Sequence, residues 1–245
     1  MNSLTYFDID YAKLSESLSS KTMEKINHVV ESIINAEKNI SKINESDIDG
    51  KAILEYEGMT GTKTRHFYNN ICSALNTRYL EIGTWNGSSS ISAVYKNNLD
   101  GVFIDNWSQF DGDSQIFVNS MEKFKTKEST YKLIEGDCWK VDRSTLGVFN
   151  VYLYDGGHEI QEHYDALCHF YDNLADEFIF LVDDFNWLGV REGTYKAIKD
   201  LNLDVLFKHE ILLKPEDLEG MPNHIGKKTW WNGISIFVLR KHISI

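Results

Sequence analysis

The stretch that decides the fold is Tyr79-Leu-Glu-Ile-Gly-Thr-Trp-Asn-Gly-Ser-Ser-Ser90. It predicts an apolar strand that stops at a glycine-rich turn and passes directly into the polar start of a helix. In α/β proteins such a turn binds nucleotide-like ligands. A dinucleotide site would require G-x-G-x-x-G, but Trp85 stands where the second glycine lets the backbone approach a pyrophosphate. The bland alternative is an ordinary strand-to-helix turn whose glycines take positive φ.

The spacing of Glu81, Gly83 and Gly87 gives the pattern E-x-G-x-x-x-G. Here the chain resembles the class I S-adenosylmethionine (SAM)-dependent methyltransferases, whose first motif is E/D-x-G-x-x-x-G. An acidic residue two positions before the first glycine suits a ligand with a cationic end, and SAM carries an ammonium and a sulfonium group. The resemblance implies that Glu81, Gly83, Gly87 and Ser88 belong to a SAM site.

The order of the remaining elements supports the same fold. Apolar strands alternate with helices, and two strands near 204–213 and 233–240 follow each other without a helix between them. This order predicts an α/β protein with a mostly parallel sheet closed by a terminal antiparallel strand. By resemblance it is the Rossmann-like class I methyltransferase sheet, which a symmetrical dinucleotide fold would not match.

We expect a methyltransferase domain over 51–245 and an N-terminal helical extension over 1–50. The extension has an apolar stripe at helical spacing from Ile26 to Ile40. Such a stripe packs on the main domain or on a second subunit, and a homodimer through these helices is therefore one expectation.

Composition excludes several classes of partner. The 25 basic and 37 acidic residues give a net charge of −12, so the chain has no electrostatic footprint for nucleic acid. Three widely spaced cysteines without a C-x-x-C pair predict reduced thiols. No apolar run approaches the roughly 18 residues of a membrane span, and the polar N-terminus lacks the form of a secretion signal. We expect a soluble cytoplasmic protein that acts on a small molecule, without a membrane partner.

Three further residues are candidates for cofactor contacts. Asp105 ends a strand 22 positions after Gly83, close to the roughly 20 expected for an acidic residue that binds ribose hydroxyls. Trp107 could wall the adenine or simply pack. The resemblance places Asp137 beside the adenine amino group, although a cap for the following turn competes with this role.

The segment from Glu55 to Arg65 precedes the first strand and contains two glycines. In a doubly wound sheet it can fold over the open end of that strand and cover a ligand. We therefore expect Met59 to contact the cofactor. An ordinary helix-start loop is the alternative.

Carboxylates stand at the predicted ends of the fourth and fifth strands, where open parallel sheets bind ligands. They are Asp155, Asp183 and Asp184. Their mutual repulsion would raise at least one pKa, and a divalent cation would relieve it. Hard oxygen ligands without cysteine favour Mg²⁺, with Mn²⁺ or Ca²⁺ as alternatives. The alternative without a metal is that these aspartates form a cap and a turn.

The motifs Asp155-Gly-Gly-His158 and Asp183-Asp184, 28 positions apart, resemble the metal-dependent sugar O-methyltransferases of the macrocin type. That resemblance implies that Asp155, Asp183 and Asp184 bind Mg²⁺ and that the acceptor is a sugar. It favours a nucleotide-activated sugar in a capsule or other surface-glycan pathway. A catechol or another small natural product is the second candidate acceptor.

Methyl transfer to an alcohol needs a base with a pKa not far from 7. His158 is the leading candidate, and an unligated oxygen of Asp155 or Asp183 is the next. His224, on the predicted lid from Glu216 to Trp231, is a more distant one. Two functions of other classes stay open: an NAD-dependent oxidoreductase, which Asp105 would also fit, and a protein that binds SAM without turnover.

Overall fold

A single seven-stranded sheet forms the centre of the computed structural model, which describes residues 17–214 and 226–242. The strand order is β3-β2-β1-β4-β5-β7-β6. The first five strands pair in parallel, and β7 lies antiparallel between β5 and β6. This confirms the mostly parallel sheet with a terminal antiparallel strand. The strands are β1 (Thr77–Ile82), β2 (Leu99–Asp105), β3 (Thr130–Glu135), β4 (Phe149–Tyr154), β5 (Leu174–Asp183), β6 (Asp204–Ile211) and β7 (Ile234–Arg240).

Helices cover both faces of the sheet. Five of them share one apolar cluster with one face, and the last two share a second cluster with the other face. The first group is α1 (Ser20–Glu37), α2 (Ile48–Leu54), α3 (Thr62–Ile71), α4 (Ser88–Val94) and α5 (Ser114–Phe124); the second is α6 (Ile160–Phe170) and α7 (Leu188–Asp200).

Burial on both faces explains the composition of the inner strands. In β1 the side chain of Tyr79 enters the first cluster, whereas Leu80 and Ile82 enter the second. Successive side chains of a strand point to opposite faces, so a strand covered on both sides reads as an unbroken apolar run. The run from Phe178 to Val182 in β5 is fully buried for this reason.

The N-terminal helix packs on the chain's own sheet. Ile26 and Ile33 of α1 are fully buried in the first cluster, and Lys25 forms an ion pair of 2.9 Å with Glu177 of β5. Ile40, predicted to continue the stripe, is 52% exposed because the helix ends at Glu37. The domain boundary at residue 50 and the homodimer stay predictions. No helix within 17–214 or 226–242 is long and apolar enough to cross a membrane.

Candidate active site

A cleft of about 410 Å³ opens at the carboxyl ends of the parallel strands. Its centre lies between β1 and β4, where the strand order reverses, which is the usual ligand position in open α/β sheets. One end is lined by the glycine turn and by the residues after β2 and β3. The other end is lined by residues after β4 and β5 and by Trp231 and Asn232. The volume falls in the range of small-molecule sites, roughly 300–1,000 Å³.

Both glycines of the turn are required by its shape. Gly83 has a φ of 86°, and a Cβ there would overlap the carbonyl oxygen of Asp155. Gly87 has a φ of 90° and precedes the first residue of α4, where a Cβ would press on the ring of Phe117. The structure thus brings Gly83 and Ser88 to the cleft wall, and Ser88 shares a 2.7 Å hydrogen bond with Thr60.

Glu81 lies beneath the turn and is not among the residues that line the cleft. It is fully buried, and its Oε1 atom accepts hydrogen bonds from the hydroxyls of Ser89 (2.5 Å) and Ser90 (2.8 Å). Burial raises the pKa of Glu81 to about 7, against the opposing effect of the two serines. Its contact with SAM stays a prediction, and its observed role is to tie β1 to the start of α4.

Asp105 lines the cleft and holds the shape of its wall. One carboxylate oxygen accepts from the backbone N–H of Trp85 and the other from that of Trp107, both at 2.7 Å. Each oxygen keeps further acceptor capacity, because a carboxylate has about four lone-pair sites.

Trp107 lies behind this wall. Its indole N–H donates to the carbonyl oxygen of Trp85 at 2.9 Å, and its ring packs edge-on against Phe117 with centroids 6.1 Å apart. Trp107 is therefore not part of the cleft lining, whereas the lining of this edge includes Trp85, Trp139 and Phe110, the last of which is 60% exposed.

Asp137 lines the same edge and also caps the following turn. Its carboxylate accepts from the backbone N–H of Trp139 at 3.0 Å and pairs with Lys140 at 2.8 Å. These two contacts, with Lys140 the stronger, lower the pKa of Asp137. Both predicted roles are thus compatible with its position. Met59, half-buried in the loop before α3, faces the cleft as expected.

Three side chains converge at the opposite end of the cleft. His158 Nε2 lies 2.7 Å from a carboxylate oxygen of Asp184, and one ligand atom each from Asp155, His158 and Asp184 all lie within 4.8 Å of one another. Asp155 directly follows β4, and Asp184 directly follows β5 with a φ of 54°. The parallel sheet accounts for the convergence, since neighbouring strands end at the same edge.

Asp183 takes a different position from the other two aspartates. It is 2% exposed, does not line the cleft, and one of its carboxylate oxygens has no hydrogen-bond partner. Burial and the charge of Asp184 raise the pKa of Asp183 well above its ordinary value. Burial and the charges of Asp183 and Asp184 do the same to the pKa of Asp155. The geometry thus groups His158, predicted as a base, with Asp155 and Asp184, and it sets Asp183 below them.

His158 is held by two neighbours. Besides its contact with Asp184, its ring packs edge-on against Trp187 with centroids 4.3 Å apart. Its side chain is 35% exposed, so it can reach a molecule in the cleft. The other predicted histidine, His224, lies outside the described residues.

The sequence did not single out Asn232, Thr60 or Phe110, which all line the cleft. Asn232 follows a stretch without periodicity, and the long-range pairing of 232–233 with 185–186 brings it to the site. For Thr60, its place in the loop expected to cover the ligand was the available signal.

No protein-family model and no curated protein matches the chain. Solved structures do. TrmN from Thermus thermophilus superposes with a TM-score of 0.51 at 12% identity, over 78% of this chain and 52% of that one. The chain thus spans about half the length of TrmN.

Two neighbours match over nearly their whole length. PaMTH1, a methyltransferase from Podospora anserina bound to S-adenosylhomocysteine (SAH), has a TM-score of 0.50 at 14% identity, over 92% of this chain and 97% of that one. A candidate caffeoyl-CoA O-methyltransferase from Staphylococcus aureus has a TM-score of 0.52 at 12% identity, over 87% and 99%. The chain has the Rossmann-like methyltransferase fold. Within this methyltransferase fold, the cleft described above occupies the ligand position of the sheet.

Proposed function

We propose that the protein is a SAM-dependent O-methyltransferase that needs a divalent cation. One observation carries the proposal: a single cleft joins the Gly83 turn to the cluster of Asp155, His158 and Asp184. The first end suits a nucleoside with a cationic tail, and the second suits a hydroxyl group beside a cation. The fold of the neighbouring methyltransferases supports the same assignment.

Five residues that line this end of the cleft support the proposal of a SAM site. Asp105 would accept from the ribose hydroxyls, Asp137 would accept from the adenine amino group, and Gly83 would let the methionine part approach the backbone. Ser88 and Met59 would bound the remainder. When bound, SAM supplies a methyl group on a sulfonium, and SAH, a neutral thioether, is a good leaving group.

The acceptor end fits a divalent cation. Asp155 and Asp184 offer hard oxygen atoms, and His158 offers a nitrogen. Burial, together with repulsion between the carboxylates, raises the pKa values of Asp155 and Asp183, and a cation would relieve the repulsion. Asp155 and Asp184 would hold Mg²⁺ or Mn²⁺, and Asp183 would support them from below. When bound, such an ion lowers the pKa of a hydroxyl and orients it.

A base must remove the hydroxyl proton, and two residues of the chain are candidates. His158 is oriented by Asp184 in the way that a carboxylate orients a catalytic imidazole, which leaves its second nitrogen to accept the proton. An oxygen of Asp155 that the cation leaves unligated is the other candidate, because it lies at the same end of the cleft. Replacement of His158 by Asn separates these roles: a lost reaction with intact Mg²⁺ affinity assigns the base, whereas lost Mg²⁺ affinity makes His158 a ligand.

The acceptor is proposed to be a sugar hydroxyl, in a surface-glycan pathway in the cytoplasm, following the macrocin-type motifs. A catechol or other phenol is the second candidate, because Trp187 and Trp231 give the cleft wall aromatic surface and one neighbour is named for a caffeoyl-CoA reaction. An oxidoreductase that uses NAD is less well supported, since Trp85 blocks the pyrophosphate approach. A protein that only binds SAM would have no use for the acceptor end.

The proposal is tested by SAH formation. The protein is incubated with SAM and a panel of sugars, sugar nucleotides and catechols, in Mg²⁺ and in EDTA, and SAH is quantified. We expect one acceptor class to yield SAH in Mg²⁺ and none in EDTA. Equal SAH yields in Mg²⁺ and in EDTA would show that the reaction needs no metal. Binding of labelled NAD rather than labelled SAM would favour an oxidoreductase instead of a methyltransferase.

A further inference from the structure

The side chain of Asn232 is the most unusual polar group in the cleft wall. It is 1% exposed, and neither its amide nitrogen nor its amide oxygen has a hydrogen-bond partner within the described residues. Burying such a group without a partner costs about 1–3 kcal/mol. Folded proteins rarely keep such a cost without a functional reason.

Backbone hydrogen bonds hold the segment around Asn232 in place. Its carbonyl oxygen accepts from the backbone N–H of Asn186 at 3.0 Å, and the carbonyl of Gly233 accepts from Phe185 at 3.1 Å. On the other side of the segment, the backbone N–H of Lys63 in α3 donates to the carbonyl of Thr229 at 2.9 Å. Both flanks of the segment are thus tied to the body of the protein, and the Asn232 side chain is buried between them.

The position of Asn232 points to the acceptor and not to the cofactor. Residues 232–233 continue the β5–β7 pairing beyond Asp183 by pairing with 185–186. Residues 185–186 directly follow Asp184, whose carboxylate contacts His158. An amide offers two donors and one acceptor, which matches the two-way hydrogen bonding of alcohol hydroxyls. Buried polar groups that gain partners only when such hydroxyls bind make the site reject ligands without hydroxyls.

The charge around the cleft narrows the acceptor further. Within 17–214 and 226–242 the cleft lining contains no Lys or Arg, whereas five acidic side chains belong to it: Asp105, Asp137, Asp155, Glu162 and Asp184. A diphosphate brought into this lining would meet carboxylates and no cationic side chain to pair with. Even with one divalent cation bound, the five carboxylates outweigh its charge of two, so a further anionic group is unfavourable at short range.

We propose that Asn232 binds the acceptor through its hydroxyl groups, and that the acceptor is an uncharged compound with at least two hydroxyls. This rests on the proposed methyl transfer and is an alternative to the nucleotide-activated sugar, which stays a prediction. Asn232 holds the hydroxyl beside the reacting one, and the acidic lining excludes phosphorylated forms of the same sugar.

Thermal unfolding without ligands tests the first part. Asn232→Leu keeps the shape and removes the unpartnered amide, so we expect it to unfold at the temperature of the wild type or above it. The matched control is Asn69→Leu, because Asn69 is equally buried but donates to the carbonyls of Ser92 and Tyr95 at 2.8 Å. The control should unfold about 5 °C lower or more. An equal loss in both variants would make Asn232 a structural residue and overturn the proposal.

Turnover tests the second part. Free sugars and methyl glycosides are compared with the matching sugar phosphates and nucleoside-diphosphate sugars as acceptors. We expect kcat/KM to be about tenfold or more higher for the uncharged members, and Asn232→Ala to raise KM about tenfold with SAH affinity unchanged in calorimetry. Preference for the phosphorylated members, or an unchanged KM, would overturn it. If no panel member yields SAH, the proposed function fails. The unfolding comparison still decides whether the Asn232 amide stabilises the unliganded protein or is kept for a ligand.

Discussion

The carboxylates at the two ends of the cleft, the proposed cofactor end and the proposed acceptor end, have different partners. At the cofactor end, Asp105 binds two backbone N–H groups, and Asp137 binds one together with Lys140. At the acceptor end, Asp155, Asp183 and Asp184 lie close to one another, with His158 as the one basic side chain in contact with Asp184 that the described residues provide.

This difference separates carboxylates that fix the shape of the cleft wall from carboxylates that can take part in the reaction. Carboxylates that accept backbone N–H groups have their negative charge balanced within the protein, and they fix the loops that shape the wall. At the acceptor end, burial and repulsion between the carboxylates raise the pKa values of Asp155 and Asp183, and a bound cation or proton would relieve the repulsion. Before any ligand binds, the carboxylates of the cofactor end therefore have their negative charge balanced within the protein. The negative charge of the acceptor end is not balanced in this way.

The largest effect is expected from Asp184→Asn. This change removes a cation ligand and the partner of His158, so kcat for methyl transfer should fall about 1,000-fold. SAM affinity measured by calorimetry should stay within about threefold of the wild type, because the change lies at the other end of the cleft. Asp183→Asn should act in the same direction. If SAM affinity falls together with kcat, the two ends are not independent.

The next effect concerns Glu81, which lies under the cleft between the two ends. Its pKa of about 7 in the folded protein exceeds the ordinary 4.5, so the folded state keeps a proton that the unfolded state releases between these pH values. The stabilising contribution is therefore complete below pH 4.5 and is lost as pH rises to 7, by about 3 kcal/mol. Glu81→Gln should abolish this loss, so its advantage over the wild type grows from pH 5 to pH 8 in urea unfolding.

A matched control for Glu81 is the exposed Glu45. Glu45→Gln should unfold in parallel with the wild type at every pH. A Glu81→Gln curve that also parallels the wild type would show that the buried carboxyl titrates normally.

A smaller effect is expected from Asp105→Ala. The change removes the proposed ribose contacts and releases the backbone N–H groups of Trp85 and Trp107, so SAM affinity should fall about 30-fold in calorimetry. Asp100→Ala on the same strand, half-buried and paired with Arg78, serves as control and should leave the affinity unchanged. Unchanged affinity in Asp105→Ala would remove Asp105 from the cofactor site.

The smallest effect is expected from Lys140→Ala. Lys140 is 82% exposed, and Asp137 keeps its contact with the backbone N–H of Trp139 when the lysine is removed. Exposed ion pairs contribute little, so SAM affinity should change by less than about threefold. A larger loss in calorimetry would mean that the lysine itself touches the ligand.

The fold was predictable because its signals are local. The inner strands are apolar runs, and both glycines of the turn have the positive φ that their pattern implied. The ends of elements were less predictable. The sequence predicts a helix over 111–127, but α5 runs only from Ser114 to Phe124, because Asp113 caps it and Asp111 takes a φ of 49°. The apolar run from Phe178 predicts the start of β5, but the strand begins at Leu174, where its backbone already pairs with β4.

The candidate site was predictable to the extent that it depends on strand ends. Asp105, Asp155 and Asp184 follow from the parallel topology. Trp107 lies outside the cleft lining, because its ring packs against Phe117 and its indole N–H donates to the carbonyl of Trp85. Asn232 depends on pairing between segments more than 40 residues apart in the chain, and no local pattern carries that information.

The central claim is that the acceptor end holds a divalent cation. Electron paramagnetic resonance of Mn²⁺, titrated into the wild type and into Asp184→Asn, measures free and bound ion directly. We expect one bound Mn²⁺ per chain in the wild type, displaced by excess Mg²⁺, and none in Asp184→Asn. Equal binding in both proteins, or no binding in the wild type with SAM present, would contradict the account.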